Sequence, residues 1–218
     1  VMFNALRDIE PATIAQLAGA TGPNASDVDN AISALEAEGR IKKLGDDLSL
    51  IATIAGWQSL SETAESTLAN FHQSYPLRQG MPLQDFRGQL KLKTAAFGAV
   101  STSLVKEETI STDDAIVRLP SHAPSLSVEQ DHEAAEFLKL ISADRFSPST
   151  ERPINIEILQ FLAERGDVVR ISGDIVYPTD AYDEMETKIR ESGSEGQEIT
   201  ITGVREIFGT SRKYTLAV

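Results

Sequence analysis

Cysteine is absent from this chain of 218 residues, which excludes disulfide bonds and zinc sites built on thiolates. No apolar run approaches the ~20 residues of a membrane span, and no signal peptide is visible at the start. No glycine precedes a lysine, so the phosphate-binding loop Gly-x-x-x-x-Gly-Lys-Ser/Thr is missing, as is the nucleophile motif Gly-x-Ser-x-Gly. His72, His122 and His132 lack the spacing of metal ligands. We therefore expect no enzyme activity, no metal site and no membrane contact in this chain.

Positive charge is also scarce, because 33 acidic residues outnumber 20 basic ones and the net charge is −13. A chain this acidic repels phosphate overall, which argues against indiscriminate binding of nucleic acid. The terminal residues 204–218 are an exception, since they contain three basic residues, Arg205, Arg212 and Lys213, and one acidic residue, Glu206. Any contact with nucleic acid is therefore expected to be local and carried by one small face.

What the sequence does contain is a pattern that recurs about every 60 residues. In residues 1–55, helical patterns over 2–9, 11–20 and 26–38 precede alternating segments at 40–44 and 48–51. Three helices followed by a β-hairpin is the winged-helix arrangement. The hairpin turn holds Asp46 and Asp47, which suit a turn and do not form a catalytic pair on this evidence.

The same order recurs over residues 56–122 and begins again over 180–218, whereas in residues 123–179 the Pro-rich run 146–153 predicts a loop or a single turn in place of the middle helix. In the second copy we expect Ser59 or Ser61 to cap the first helix; in the third, Ser127 caps its first helix. We name these segments winged-helix 1 to 4. The predicted fold class is mainly α with small β-hairpins (α+β), as tandem winged-helix domains in a linear array.

The last stretch carries the clearest functional signal. Thr202 is expected to cap a helix over 203–208, Gly209 to turn the chain, and Thr210 to open a second helix. A helix start with hydroxyls and cations is suited to meet phosphate. The chain starts with Val and stops within this last helical pattern, before the hairpin of winged-helix 4. It therefore looks like a piece of a longer protein.

Several motifs resemble a known family. The terminal run is Phe208-Gly209-Thr210-Ser211-Arg212-Lys213-Tyr214, and a second run, Tyr75-Pro-Leu-Arg-Gln-Gly-Met-Pro82, follows closely after His72. A third, Phe146-Ser-Pro148, lies in winged-helix 3. Together they are similar to the C-terminal winged-helix region of SelB, the bacterial selenocysteine-specific translation elongation factor, over essentially the whole chain.

This resemblance implies a function. The family protein is a cytoplasmic GTPase, whose GTP and Mg²⁺ would bind in N-terminal domains outside this chain, so no cofactor is expected here. Its last winged-helix domain binds the selenocysteine insertion hairpin of mRNA, which tethers the factor and its selenocysteyl-tRNA beside a UGA codon on the ribosome. We expect a monomer. The residues assigned to RNA binding are Arg205, Thr210, Ser211, Arg212, Lys213 and Tyr214, with Arg212 and Lys213 on phosphates and Tyr214 either stacked on a base or packed inward.

For two other groups of basic residues, two roles are considered: a solvated surface and a functional contact. Arg40, Lys42 and Lys43 fit a solvated strand or a contact with ribosome or tRNA. The second group fits a solvated helix face or a contact with RNA or ribosome, and comprises Arg78, Arg87, Lys91 and Lys93. Two competing functions also remain: a DNA-binding tandem winged-helix regulator, and a scaffold that uses its winged-helix faces to bind proteins.

Overall fold

The computed structural model divides into two compact units, Val1–Ala123 and Pro124–Val218. The residues that it describes are 2–21, 25–113, 115–150, 154–172, 175–194 and 200–216. From the sequence we also predict turns at 172–174 and 192–196 and an extended piece at 199–201, and these lie partly outside the described ranges. The described residues 192–194 and 201 belong to helices, so the last two predictions were wrong there. No helix within them is long and apolar enough to cross a membrane.

The first half of unit 1 is a small helical bundle with a three-stranded sheet. Its elements are α1 (Met2–Ile9), β1 (Ala12–Thr13), α2 (Ile14–Thr21), α3 (Ala25–Ala37), β2 (Ile41–Leu44) and β3 (Leu50–Thr53). Gly39 ends α3 at φ 64°, a left-handed conformation that glycine adopts without strain. The antiparallel strands are ordered β1-β3-β2, with Lys43 opposite Ile51.

The second half of unit 1 repeats this order with a longer first helix. Its elements are α4 (Ile54–Ser74), β4 (Met81–Pro82), α5 (Leu83–Gln89), α6 (Thr94–Lys106), β5 (Ser111–Thr112) and β6 (Ile116–Arg118). Its antiparallel sheet has the order β4-β6-β5, which matches that of the first half. The helix-strand-helix-helix-hairpin order is therefore the same in both halves.

Strand β3 is buried on both faces because the two halves of unit 1 pack against it from opposite sides. Successive side chains of a strand point to opposite faces. Ile51 joins the core of α1–α3, while Leu50 and Ala52 join Trp57, Phe86 and the other core residues of the second half. One strand thus belongs to two hydrophobic cores.

The chain passes from β3 into α4 without a linker. Thr53, the last residue of β3, is the N-cap of α4, and its hydroxyl accepts a hydrogen bond from the Gly56 amide at 3.0 Å. The Glu10 carboxylate in turn accepts bonds from the Thr53 amide and hydroxyl. The prediction that Ser59 or Ser61 caps this helix was wrong, because α4 begins five residues before Ser59.

Unit 2 has the same plan in a less complete form. Its elements are α7 (Val128–Ala143), α8 (Ile156–Arg165), β7 (Val168–Ser172), β8 (Ile175–Pro178), α9 (Thr179–Ser194), α10 (Ile201–Phe208) and α11 (Arg212–Thr215). Ser127 caps α7 through a capping box with Gln130, as the sequence predicts. Gly166, at φ 86°, ends α8. Strands β7 and β8 form a two-stranded antiparallel sheet.

The core of unit 2 joins the hairpin of winged-helix 3 to the helices of winged-helix 4. Ile175 and Tyr177 of β8 cluster with Met185, Val204 and Phe208 from α9 and α10. As at β3, the strand runs directly into the next helix, since α9 starts at the residue after Pro178. The predicted fold class, mainly α with small β-hairpins in tandem winged-helix domains, is confirmed, whereas the domain boundaries at 55/56, 122/123 and 179/180 remain predictions.

Candidate nucleic-acid interface

The terminal segment consists of α10, a turn at Gly209 and the short helix α11. Thr200 caps α10 through a bond from the Gly203 amide to its hydroxyl, at 3.1 Å, and Gly209 ends the helix at φ 60°. The predicted cap at Thr202 was wrong, because this residue lies within the first turn of α10. The predicted helix start at Thr210 was also wrong, since α11 begins at Arg212 after Ser211.

Thr210 holds the terminal segment to winged-helix 3. Its side chain is buried, its hydroxyl donates to the Phe146 carbonyl at 2.7 Å, and its oxygen lies 2.8 Å from the Ser147 hydroxyl. The Thr210 amide donates to the Arg205 carbonyl. The structure therefore places this hydroxyl in a contact between protein segments.

Tyr214 makes the second contact with the same loop. Its hydroxyl donates to the Pro148 carbonyl at 2.8 Å, and its ring meets Tyr177 edge-on. Tyr177 is fully buried, and burial, with a smaller contribution from Tyr214, raises the pKa of Tyr177 to about 12. Of the two predicted roles of Tyr214, the structure shows the inward one. Two motifs far apart in sequence, at 146–148 and 208–214, thus contact each other.

The other four predicted RNA-binding residues face solvent. Ser211 and Arg212 are exposed where α11 begins, Lys213 is exposed on the next position, and Arg205 is exposed in the last turn of α10. The Lys213 ammonium lies 5.4 Å from the centre of the Tyr214 ring and 3.4 Å from the Thr150 hydroxyl. Because α11 has only four described residues, its dipole is small, and any phosphate contact depends on these side chains.

In unit 1 the motif at 75–82 forms the turn between α4 and β4. The Arg78 guanidinium stacks over the Tyr75 ring at 4.1 Å, and Leu77 is buried. A Cβ added at Gly80 would lie 2.6 Å from the Val117 carbonyl oxygen, so only glycine fits beside strand β6. Packing within unit 1 therefore accounts for Tyr75, Leu77, Arg78 and Gly80 of this motif.

His72, just before that turn, stacks on His122 with ring centroids 3.6 Å apart. The Leu119 amide donates to His72 Nε2 at 3.2 Å, which puts the proton of the neutral ring on the buried Nδ1; that atom has no partner in the described part of the chain. Burial, followed by repulsion from His122 and Arg118, lowers the pKa of His72 to about 4. His72 is therefore neutral at pH 7 and packs against the His122 ring.

The third helix of winged-helix 2, α6, is partly covered by the hairpin of winged-helix 1. The Gly45 amide donates to the buried Ser103 hydroxyl at 2.9 Å, and Gly45 packs against Ala99. Lys106 pairs with Asp46 at 2.6 Å. In winged-helix proteins that bind nucleic acid, this helix is the one that enters the groove, so the packed part of α6 is not free to do so.

A second contact ties the same hairpin to the end of α6. Glu107 forms an ion pair with Lys42 and accepts a hydrogen bond from the Trp57 indole at 2.9 Å. Burial lowers the pKa of Lys42, whose ammonium lies 5.0 Å from the centre of the Trp57 ring. This contact was not predicted from the sequence, in which the single tryptophan, Trp57, was the only residue that pointed to it.

Within the described ranges, no group of three or more His, Cys, Asp or Glu side chains is placed to hold a metal ion. What the structure defines is a class: a protein of tandem winged-helix folds whose terminal segment exposes cations in an otherwise acidic chain.

Comparisons with known proteins narrow this class. Residues 66–119 match the family model described as elongation factor SelB, winged helix. Among solved structures, the chain is similar to one titled "Crystal structure of bacterial selenocysteine-specific elongation factor EF-Sec", at 12% identity and a TM-score of 0.40, over 78% of this chain. The chain spans 27% of the length of that structure. No curated protein matches it. The chain thus contains a SelB-like winged-helix region.

Proposed function

We propose that this chain is the RNA-binding, C-terminal winged-helix arm of a selenocysteine-specific translation elongation factor. In this role it tethers the factor to the selenocysteine insertion hairpin of mRNA during UGA recoding. The single observation that carries the proposal is the match of residues 66–119 to the SelB winged-helix family. The resemblance of the motifs at 75–82, 146–148 and 208–214 supports it along the rest of the chain.

The RNA surface in this proposal is the exposed part of the terminal segment. Arg205, Arg212 and Lys213 supply charge for phosphate oxygens, and the Ser211 hydroxyl supplies a hydrogen bond. Thr210 and Tyr214 contribute indirectly, because their bonds to the 146–148 loop hold the segment in place. The net negative charge of the whole chain disfavours indiscriminate binding of nucleic acid.

The mechanism is tethering rather than catalysis. A bound hairpin raises the effective concentration of the attached factor near the codon, which requires no chemistry in this chain. The proposal includes the ribosome and selenocysteyl-tRNA as partners of the whole factor, a cytoplasmic location and a monomeric state. GTP and Mg²⁺ belong to the GTPase domains of such a factor, and no cofactor is assigned to this chain.

A selection experiment tests the proposal. The 218-residue chain is incubated with a pool of bulged RNA hairpins whose loops are randomised, and the bound fraction is sequenced. The enriched hairpin is then titrated by fluorescence anisotropy at several salt concentrations, beside an unbulged hairpin and a DNA duplex of equal length. We expect enrichment of one hairpin and a preference for it over both competitors.

Charge-neutral variants test whether the terminal segment is the surface that binds the RNA. In Arg212→Gln with Lys213→Gln, the slope of log Kobs against log salt concentration should fall in magnitude by about 1.5, as expected for two lost phosphate contacts. The matched control replaces Lys139 and Arg165, two exposed cations of the same unit, with Gln and should leave the slope unchanged. Tighter binding of the DNA duplex would support a DNA-binding regulator instead, and no binding of any nucleic acid would support a protein scaffold.

A further inference from the structure

The second cationic region of the molecule lies in unit 1, far in sequence from the terminal segment. Residues 66–106 contain five Lys or Arg residues and a single acidic residue, Asp85, in a chain with 33 acidic residues. The run 66–106 is therefore locally cationic, although winged-helix 2 as a whole, residues 56–122, has six basic and seven acidic residues.

Three of these cations meet at the connection between α5 and α6, which we call the α5–α6 turn (residues 87–94). The Arg87 guanidinium donates to the Thr94 hydroxyl at 3.0 Å and so joins the two helices. Lys91 has φ 54°, and its amide donates to the Gly88 carbonyl at 3.1 Å. Lys93 is the N-cap of α6. These hydrogen bonds define the conformation of the short turn that carries all three cations.

These three cations differ from Arg40, Lys43 and Lys106 of the same unit in how they are compensated. Arg40 pairs with Glu38, Lys43 with Glu36 and Lys106 with Asp46, at 3.4, 2.6 and 2.6 Å. By contrast, Arg87, Lys91 and Lys93 form no ion pair with any residue that the structure describes, and both lysines are exposed. Like charges held together without counterions repel each other, and a polyanion relieves that repulsion.

We propose that the α5–α6 turn is a second RNA-binding surface, which contacts the phosphate backbone without reading base sequence. The contact is restricted to the backbone because the middle and end of α6 pack against the Gly45 turn and cannot enter a groove. The commitment to RNA, rather than to another polyanion, rests on the function proposed above. The surface itself is independent of the terminal segment, since the two lie in different units.

The test uses charge-neutral variants that keep the local geometry. Arg87→Gln retains a donor for Thr94, Lys91→Asn suits the left-handed backbone because asparagine tolerates it, and Lys93→Gln retains the length of the side chain. A matched control removes three paired cations of the same unit through Arg40→Gln, Lys43→Gln and Lys106→Gln. Both triple variants change the net charge of the full chain equally, and thermal melts check that each is folded.

Binding is measured by anisotropy with a labelled RNA stem of mixed sequence, at salt concentrations from about 50 to 200 mM. We expect the turn variant to bind about tenfold more weakly and its log–log salt slope to fall in magnitude by about two to three, because three phosphate contacts are lost. The control variant should retain most of the affinity. Scrambling the RNA sequence should leave the affinity of the unaltered chain within about twofold, as expected for backbone contacts.

Specific results would overturn the inference. Equal loss in the turn and control variants would mean that only net charge matters, and an unchanged affinity in the turn variant would mean that the turn is not used. Stronger competition by polyglutamate than by RNA would point to an acidic protein partner instead. The terminal variant Arg212→Gln with Lys213→Gln, measured in parallel, separates the two proposals: if only that variant loses RNA binding, the proposed function stands and this inference fails.

Discussion

Strand β3 of unit 1 and strand β8 of unit 2 occupy equivalent positions in their units. Each is buried along its whole length, and each continues without a linker into the first helix of the next winged-helix segment. The units differ in what their last helices contact. In unit 1, α6 packs against the Gly45 turn of the preceding hairpin, whereas in unit 2, Tyr214 of α11 bonds to the loop at 146–148.

This difference shows where nucleic acid can still be reached. In both units one side of the recognition element is used for contacts with the preceding segment, and cations remain exposed beside it. Residue types typical of RNA contact, such as Thr210 and Tyr214, can therefore serve packing, while the neighbouring Arg212 and Lys213 stay available.

The largest effect is expected from disrupting the Gly45 contact. Gly45→Ala places a methyl group at φ 85° and 2.8 Å from the Ala99 Cβ, so backbone strain and overpacking together should lower the free energy of unfolding by about 2–4 kcal/mol. Gly39→Ala has the same strain at φ 64° but open space around it, and should cost only about 1 kcal/mol. Urea unfolding of unit 1 measures both. Equal losses would mean that the hairpin does not press on α6.

An intermediate effect is expected in unit 2. Thr210→Val keeps the shape of the side chain but removes its hydrogen bonds to Phe146 and Ser147, which should destabilise the unit by about 1–3 kcal/mol. Ser211→Ala, one residue along and exposed, should change stability by less than about 0.5 kcal/mol. Chemical denaturation compares the two. If Thr210→Val were neutral while it weakened RNA binding, the threonine would be a direct RNA contact after all.

A further effect, separate from the first two, is a pH dependence of the stability of unit 1. The pKa of His72 in the folded chain, about 4, lies below its ordinary value of 6.5, so the unfolded chain takes up a proton that the folded chain excludes. Stability from this residue is therefore complete above pH 6.5 and is lost as the pH falls toward 4. His72→Gln should flatten the decline of the urea midpoint between pH 7 and 4.

The exposed His132 on α7 provides the matched control, since His132→Gln should leave that decline unchanged. If the urea midpoint of His72→Gln declined between pH 7 and 4 as much as that of the unaltered chain, burial and stacking would not lower the pKa of His72.

Sequence patterns were sufficient for the fold class because apolar periodicity marks each long helix and the glycines at 39, 166 and 209 mark helix ends. They missed β1 and β4, because a strand of two residues has no measurable alternation. The cap of α4 was also missed, because Thr53 belongs to a strand and at the same time accepts the Gly56 amide as N-cap, while the Glu10 carboxylate 43 positions away accepts the amide and hydroxyl of Thr53.

For the candidate site, the sequence supplied the cations but not the orientation of their neighbours. Thr210 is turned inward by Phe146 and Ser147, 64 and 63 positions away, and no local pattern encodes such a contact. The same holds for the packing of Gly45 against α6, 58 positions away. Residue type and charge were therefore predictable, whereas burial decided by distant segments was not.

The joint between β3 and α4 limits how this protein can be divided for engineering. A fragment that started at residue 56 would discard Thr53, the first turn of α4 and the carboxylate of Glu10, and would uncover Trp57 and the apolar core beneath β3. Fusion proteins and domain exchanges should therefore keep residues 1–123 together. The chain should be joined at the ends of this unit and not between its two winged-helix segments.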